Sequence, residues 1–323
     1  MGLIDTEGKN YLSNNKFFAD AFNFLLYNGR QVIKPGELRE LDTTQIAIPY
    51  GNGARIPTQK YRDLLKLWSA MMDDKAVYLM LGAELQDKIH FAIPVKNGLY
   101  DMLGYSKQIE EIRRSYRRKN GVKDNDGEIT ADEGTLKIKL TSEEFLSGLR
   151  KGDKLVPIIT AVVYLGDSTW DGPRSLFEML EVPDKRMYNY LNDYKLNLIS
   201  PMDMSEEDFE KFHTDLGLAM RVIKHQKEDA DTIIKETNHR KIDHDTAFFL
   251  NRAVNLGLEY EEENGGIDMC LAMEKKTQRD KVTGAIEAYR MDGISEEDII
   301  TKVMKVFNVS KEYVLEILAP QKA

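Results

Sequence analysis

Two carboxylates and an amide pose the chemical question. Asp63 stands in the stretch Tyr61-Arg62-Asp63-Leu64-Leu65, and Glu84-Leu85-Gln86 follows some twenty residues later. Side chains alternate along an extended chain, so Glu84 and Gln86 point to one face if this stretch is a strand. If the chain doubles back between them, Asp63 comes level with Glu84. Carboxylates on adjacent strands can share a hard divalent cation through oxygen ligands, and the backbone carbonyl of Leu85 can add another oxygen. An ion held this way activates water, offsets charge on a phosphate and orients a phosphodiester. Gln86 would then position the attacking water or a phosphate oxygen. The spacing alone is equally compatible with two solvated strand ends.

The surrounding pattern supplies the elements that must hold these residues. Leu64 to Met72 and Ala76 to Ala83 are apolar segments separated by Asp73-Asp74-Lys75, which reads as a β-hairpin with a short acidic turn. Lys16 to Tyr27 reads as a helix with Phe17, Phe18, Ala21, Phe24 and Leu25 on one stripe. The following loop is rich in turn formers at Lys34-Pro35-Gly36 and Pro49-Tyr50-Gly51-Asn52-Gly53. From Asn97 to about Arg118 the period is helical, with Leu99, Met102, Leu103, Ile109, Ile112 and Tyr116 on a shared face. Thr141-Ser142-Glu143-Glu144 opens a helix through a capping box. Leu155 to Leu165 is a β-branched run suited to a strand buried on both faces, and Leu196 to Ile199 is a second, short strand. From Ser205 onward only helices are expected, the last two opening at Ser295 and Ser310. The sum is a mixed α/β fold, a small sheet flanked by helices, with a helical C-terminal portion. The boundaries drawn from sequence are a core at 10–205 and a helical region at 206–323 that ends in a helix pair at 290–320.

Composition narrows the class. The 323 residues carry a net charge of −9 with 42 % hydrophobic residues, enough for a sizeable core and unlike a basic nucleic-acid coat protein. Any contact with DNA must then come from a local basic patch. Arg113, Arg114, Arg117 and Arg118 form one helical face, extended by Lys107 and Lys119; they suit either phosphate contacts beside a scissile bond or a solvated face paired with Glu110 and Glu111. Cys270 is the single cysteine, which excludes an intrachain disulfide and points to a reducing compartment, the cytoplasm. Leu155 to Leu165 is too short to span a bilayer. Met1-Gly2-Leu3-Ile4-Asp5-Thr6 fits a myristoylation pattern but no polybasic segment supports it, so no membrane partner is expected.

Several blocks resemble the recombination-promoting nuclease/putative transposase family of the PD-(D/E)XK superfamily. Tyr61 to Leu65 with Gly82-Ala83-Glu84-Leu85-Gln86 is similar to that family's D…E-x-Q variant of the motif. Val156-Pro157 through Tyr164-Leu165-Gly166, followed by Trp170-Asp171-Gly172-Pro173-Arg174-Ser175-Leu176, is the most specific block. Leu38 to Thr44 and Phe145 to Gly148 resemble the clostridial branch, and together the blocks cover roughly residues 15 to 220. The resemblance implies a Mg2+- or Mn2+-dependent DNA endonuclease with Asp63 and Glu84 as metal ligands and Gln86 in the usual lysine slot. It also points to an acidic residue from the first helix, for which Asp20 is the candidate. The tail departs from the family's repetitive helix, running Gly293-Ile294-Ser295-Glu296-Glu297 into a compact pair. Rival readings are a catalytically inactive DNA- or protein-binding module on the same fold, and a defence or toxin nuclease.

Other signals are weaker. Asp124-Asn125-Asp126-Gly127-Glu128 with Glu133 mimics part of an EF-hand loop, but the first ligand position would fall on Val122. The five histidines show no zinc spacing and no cysteine partners, and His239 and His244 read as loop or surface residues. The tail helices lack a basic recognition helix, so docking or homodimer packing is their expected use. The polar stretch Glu261 to Gly266 reads as a hinge ahead of them.

Overall fold

A computed structural model describes residues 3–42, 44–47, 58–72, 75–119, 139–227, 230–260 and 265–318. The acidic turn residues Asp73 and Asp74 and the EF-hand-like stretch at 124–133 lie outside these residues. Two compact units divide the chain, residues 1–220 and 221–323.

The first unit opens with helices α1 (Leu3–Ser13) and α2 (Asn15–Tyr27). The side chain of Asn14 caps α2 by accepting from Lys16 N–H, and the apolar stripe buries Phe17, Phe18 and Phe22. Asn28 takes the left-handed conformation at its C-terminal end (φ 52°). Strands β1 (Leu38–Glu40), β2 (Thr44–Ala47) and β3 (Thr58–Tyr61) follow, then the hairpin strands β4 (Leu64–Met72) and β5 (Lys75–Gln86). Helix α3 (Ile93–Lys119) leads on to the short helix α4 (Ser142–Ser147), where Thr141 and Glu144 make the anticipated capping box. Strands β6 (Ile158–Tyr164) and β7 (Asn197–Ile199) complete a five-stranded sheet of order β1-β4-β5-β6-β7. Its first three strands are antiparallel, while β6 runs parallel to both β5 and β7. A parallel step requires a crossover, and α3 lies in the connection from β5 to β6. The mixed α/β architecture and the hairpin register follow the sequence reading. The chain also contains α1, β1 and a separate β2–β3 ladder, which the sequence reading did not assign.

Pairing of Leu64 with Ala83 and Lys66 with Leu81 sorts the side chains of the hairpin onto two faces. Leu64, Lys66, Trp68, Leu81, Ala83 and Leu85 share the face met by α1 and α2, where the buried Lys66 ammonium donates to Ser13 C=O and Asn15 Oδ1. Asp63, Gly82, Glu84 and Gln86 belong to the opposite face, which carries α3. Here one sequence expectation is corrected. Leu99 and Met102 of α3 are exposed, and its buried residues include the polar Asn97, Asp101 and Gln108. Polar groups beneath select this face: Asp101 accepts from Thr160 Oγ1 on β6, and Gln108 donates to Val156 C=O and accepts from Val156 N–H just ahead of that strand.

The Trp-Asp-Gly-Pro-Arg block folds over the end of β6. Tyr164 and Trp170 meet edge to face at 5.2 Å between ring centres, within a cluster that includes Ile93 and Val162. Gly166 lies so close to the Tyr164 ring that an added Cβ would fall 2.3 Å from it.

After α5 (Glu206–Phe209) and α6 (Leu216–Lys224), the second unit holds α7 (Ala230–Lys235), α8 (His244–Ala253), α9 (Met269–Met291), α10 (Glu296–Phe307) and α11 (Lys311–Leu318). Helices α10 and α11 close on α9 through Val282, Ile286, Ile299, Val303 and Val314. That packing leaves Met291, Val306 and Leu315 of these helices exposed. Of the stretch read as a hinge, residues 261–264 lie outside the described residues; Ile242 and Ile267 pair on either side of it.

Candidate functional site

The site forms where the β4–β5 ladder ends. Beyond the Leu64–Ala83 pair, Asp63 stands opposite Glu84, and its Oδ2 accepts from Leu85 N–H at 3.0 Å. Gln86 C=O accepts from Leu165 N–H on the β6 side. Neighbouring residues of a strand address opposite sides, so Leu85 C=O faces the Asp63 side, where the ladder has stopped. The register and the Asp63–Leu85 hydrogen bond bring Asp63 level with Glu84, and strand alternation turns Leu85 C=O to the same side. Gln86 shares their face and is half-buried at the rim.

Glu84 is fully buried, and its carboxylate oxygens are met by ion pairs alone, with no neutral hydrogen-bond donor on either among the described residues. Two cations answer its charge. Lys96 Nζ from the first turns of α3 stands 2.8 Å from Oε2, and Arg62 Nε is 3.9 Å from Oε1. Burial nevertheless dominates and pushes the Glu84 carboxyl up to about 7; Lys96 pulls it back and Asp63 adds to the rise. For Lys96, burial acts to lower the ammonium, but Glu84 overcomes this and holds it above the ordinary lysine value. Both groups are raised, which disfavours the charged carboxylate and favours the charged ammonium; the difference reflects unequal burial, since 28 % of the Lys96 side chain remains exposed and none of Glu84.

Behind this pair lies a second buried network. Arg62 Nη2 donates to Asp101 Oδ1 at 2.7 Å, as does Thr160 Oγ1 at 2.7 Å, and the Tyr194 hydroxyl donates to Asp101 Oδ2. Burial and the neighbouring Asp101 charge keep the Tyr194 phenol well above its ordinary range. Gly82 makes room for Arg62, because a Cβ there would lie 2.2 Å from Nη1. Arg62 is left with Nε and Nη1 buried and without hydrogen-bond partners. Lys96, Arg62 and Asp101 carry no motif spacing that ties them to Glu84. The remaining hint in sequence is that charged residues recur on a helix following an acidic strand end.

A divalent cation is the group the resemblance implies. The residues fit one: the donors are all oxygen, Asp63 is partly open to solvent, and the buried Glu84 oxygens face only the Lys96 and Arg62 cations, whose charge an ion could replace. Asp63, Glu84 and Leu85 C=O would hold it.

Asp20 is placed elsewhere. It is buried in α2, and its carboxylate accepts from His213 N–H, Thr214 N–H, Thr214 Oγ1 and Gln31 Nε2. These bonds anchor the loop before α6 and do not join Asp20 to Asp63 and Glu84. The basic face is also displaced from the position expected of it. At about 1.5 Å rise per residue, Arg113 lies about 25 Å along α3 from Lys96 and Lys107 about 17 Å, so neither adjoins the carboxylate pair. Arg113 pairs with Glu110 at 3.5 Å, while Arg114 and Arg118 are exposed and Arg117 is half-buried.

No family model, curated protein or solved structure matches this chain.

Proposed function

We propose that this chain is a Mg2+- or Mn2+-dependent DNA endonuclease of PD-(D/E)XK type, acting at Asp63, Glu84 and Leu85 C=O. The observation that carries the reading is the end of the hairpin. There Asp63 and Glu84 stand opposite each other, Leu85 N–H holds the first carboxylate, and the second is buried with two cationic side chains against it. Burial pushes the Glu84 carboxyl up even so, and a bound divalent cation would favour its charged form. When present, the ion would activate water and offset phosphate charge. The chain's own residues do the remainder. Leu85 N–H fixes the direction of Asp63, and Gln86 orients a water or phosphate oxygen from the rim. Lys96 supplies the cationic group that Gln86 lacks, and its half-buried side chain, released from Glu84, would meet a phosphate oxygen. Arg62 and Asp101 hold the floor of the site in place.

One observation favours an inactive binding module on the same fold. Lys96 and Arg62 already bring two positive charges to Glu84, which can neutralise it with no ion bound. The deciding experiment is cleavage of supercoiled plasmid by wild type, Asp63→Ala and Glu84→Ala, with Mg2+, Mn2+ or EDTA. Metal-dependent cutting by wild type and none by either variant supports the nuclease. Equal cutting by all three would remove the site assignment, and no cutting by wild type under any metal would leave the binding module. Gln86→Ala should reduce the rate less than either carboxylate change, because a neutral amide only orients.

A further inference from the structure

His239, Cys270 and Glu274 converge in the second unit although the sequence shows no spacing that joins them. The Nε2 of His239 lies 4.0 Å from Cys270 Sγ and 3.9 Å from Glu274 Oε1, and one ligand atom from each residue falls within 4.8 Å of the others. The expectation that the histidines have no cysteine partner is therefore corrected. Cys270 and Glu274 are four apart in the first turns of α9, which puts them on one helical face. Opposite them, Asn238 and His239 both adopt positive φ (48° and 60°), a turn that residues with a Cβ disfavour. Mutual hydrogen bonds between Ile242 and Ile267 tie this turn to the start of α9. Gly266 permits that approach, since at φ 118° an added Cβ would lie 2.4 Å from the Ile242 carbonyl.

A further carboxylate sets the imidazole. Asp268 caps α9 by accepting from Leu271 N–H at 2.8 Å through Oδ1, while its Oδ2 lies 3.0 Å from His239 Nδ1. A proton held on Nδ1 by this carboxylate leaves Nε2 as the lone-pair nitrogen, aimed at Cys270 and Glu274. We propose that His239, Cys270 and Glu274 bind a zinc-class divalent ion, with Asp268 as the carboxylate that orients the histidine and the fourth position open to water or an external ligand.

Donor chemistry and distance select the ion. Nitrogen, sulfur and carboxylate oxygen together suit a borderline-soft ion, unlike the all-oxygen set at Asp63 and Glu84. Bonds of about 2.3 Å to sulfur and about 2.1 Å to nitrogen or oxygen separate tetrahedral ligand atoms by about 3.4–3.6 Å. The His239 spacings of 3.9 and 4.0 Å require contraction by about half an ångström, and the outermost spacing, within 4.8 Å, by up to about 1.2 Å. Side chains can supply that movement, because His239 and Glu274 are half-exposed and only Cys270 is buried. The Cys270 thiol, now 3.9 Å from the Lys235 carbonyl, would give up its proton to solvent on ligation. The ion would then join the turn after α7 to α9.

Cobalt(II) tests this in the full chain, because a thiolate ligand gives a sulfur-to-cobalt charge-transfer band and tetrahedral coordination gives strong visible bands. After chelator treatment, titration should reach one equivalent with both signatures, and zinc should abolish them by displacement. Cys270→Ser should lose the charge-transfer band, and His239→Ala and Glu274→Gln should each weaken binding at least tenfold. Asp268→Asn keeps a capping oxygen but removes the charge, and should weaken binding about 10–100-fold. The same spectrum in an Asp63→Ala/Glu84→Gln background separates this site from the all-oxygen one. Absence of the sulfur band at saturation, or unchanged titrations of His239→Ala and Glu274→Gln, would overturn the proposal even if Cys270→Ser fails to fold.

Discussion

Lys96 Nζ stands 2.8 Å from Glu84 Oε2, so the buried carboxylate at the end of β5 is answered from the helix that covers it rather than from its own strand. Position 86, two residues along on the same face, holds a neutral amide. The positive charge nearest Glu84 thus comes from α3, and the stability of the first unit is coupled to the state of the carboxylate pair.

Loss of the lysine should therefore leave an insufficiently compensated buried charge. Breaking a buried pair costs about 3–5 kcal/mol, reduced here to about 1–3 kcal/mol because Lys96 is partly solvated. Lys96→Met should destabilise by that amount at pH 8, and Glu84→Gln added to it should restore most of the loss. Urea denaturation of the two single variants and the double variant measures the coupling. Additive effects would show that the pair contributes nothing to stability.

Stability should also fall with rising pH across a defined window. The Glu84 carboxyl titrates at about 7 in the folded chain against an ordinary 4.5, so the folded state binds its proton more tightly than the unfolded state. This contribution is fully present below about 4.5 and lost as pH passes 7. Its size is at most about 3 kcal/mol. Thermal unfolding from pH 5 to 8, in the absence of divalent metal, should show a decline in wild type that Glu84→Gln flattens. Parallel curves for the two proteins would place the titration elsewhere.

Asp20 gives a contrasting prediction, because its carboxylate is occupied by the 213–214 loop. Asp20→Ala would leave several buried donors without an acceptor and should cost about 2–4 kcal/mol. Below its lowered melting temperature the variant should retain divalent-metal affinity, measured by calorimetry. A variant of normal stability that no longer binds metal would return Asp20 to the metal site.

The α3 arginines should affect binding without affecting the chemical step. Replacing Arg113, Arg114 and Arg117 with Ala should lower the salt dependence of DNA affinity by about one unit of log slope per phosphate contact removed. At about 25 Å along the helix from Lys96, the change should leave the cleavage rate at saturating DNA unaltered. An unchanged slope would make them a solvated face. A reduced saturated rate would mean that α3 bends or moves to bring them to the site.

The linear chain by itself determined the hairpin, the buried strand, the capping box and the pairing of Asp63 with Glu84. Each rests on local periodicity, turn chemistry or the two-residue repeat of a strand, which act between near neighbours. α1 is not legible in the sequence because Asp5, Thr6, Glu7, Lys9 and Asn10 dilute its apolar stripe, and β1 because three residues are too few to show a period. Tertiary structure alone decided which charges meet. Lys96 and Asp101 reach Glu84 and Arg62 because α3 returns over the sheet in a parallel crossover, and Asp20 turned to the 213–214 loop because that loop packs against α2. His239 and Cys270 meet across 31 residues for the same reason. Packing brings such groups into contact at distances in sequence where no local repeat survives, and desolvation then fixes how strongly they interact.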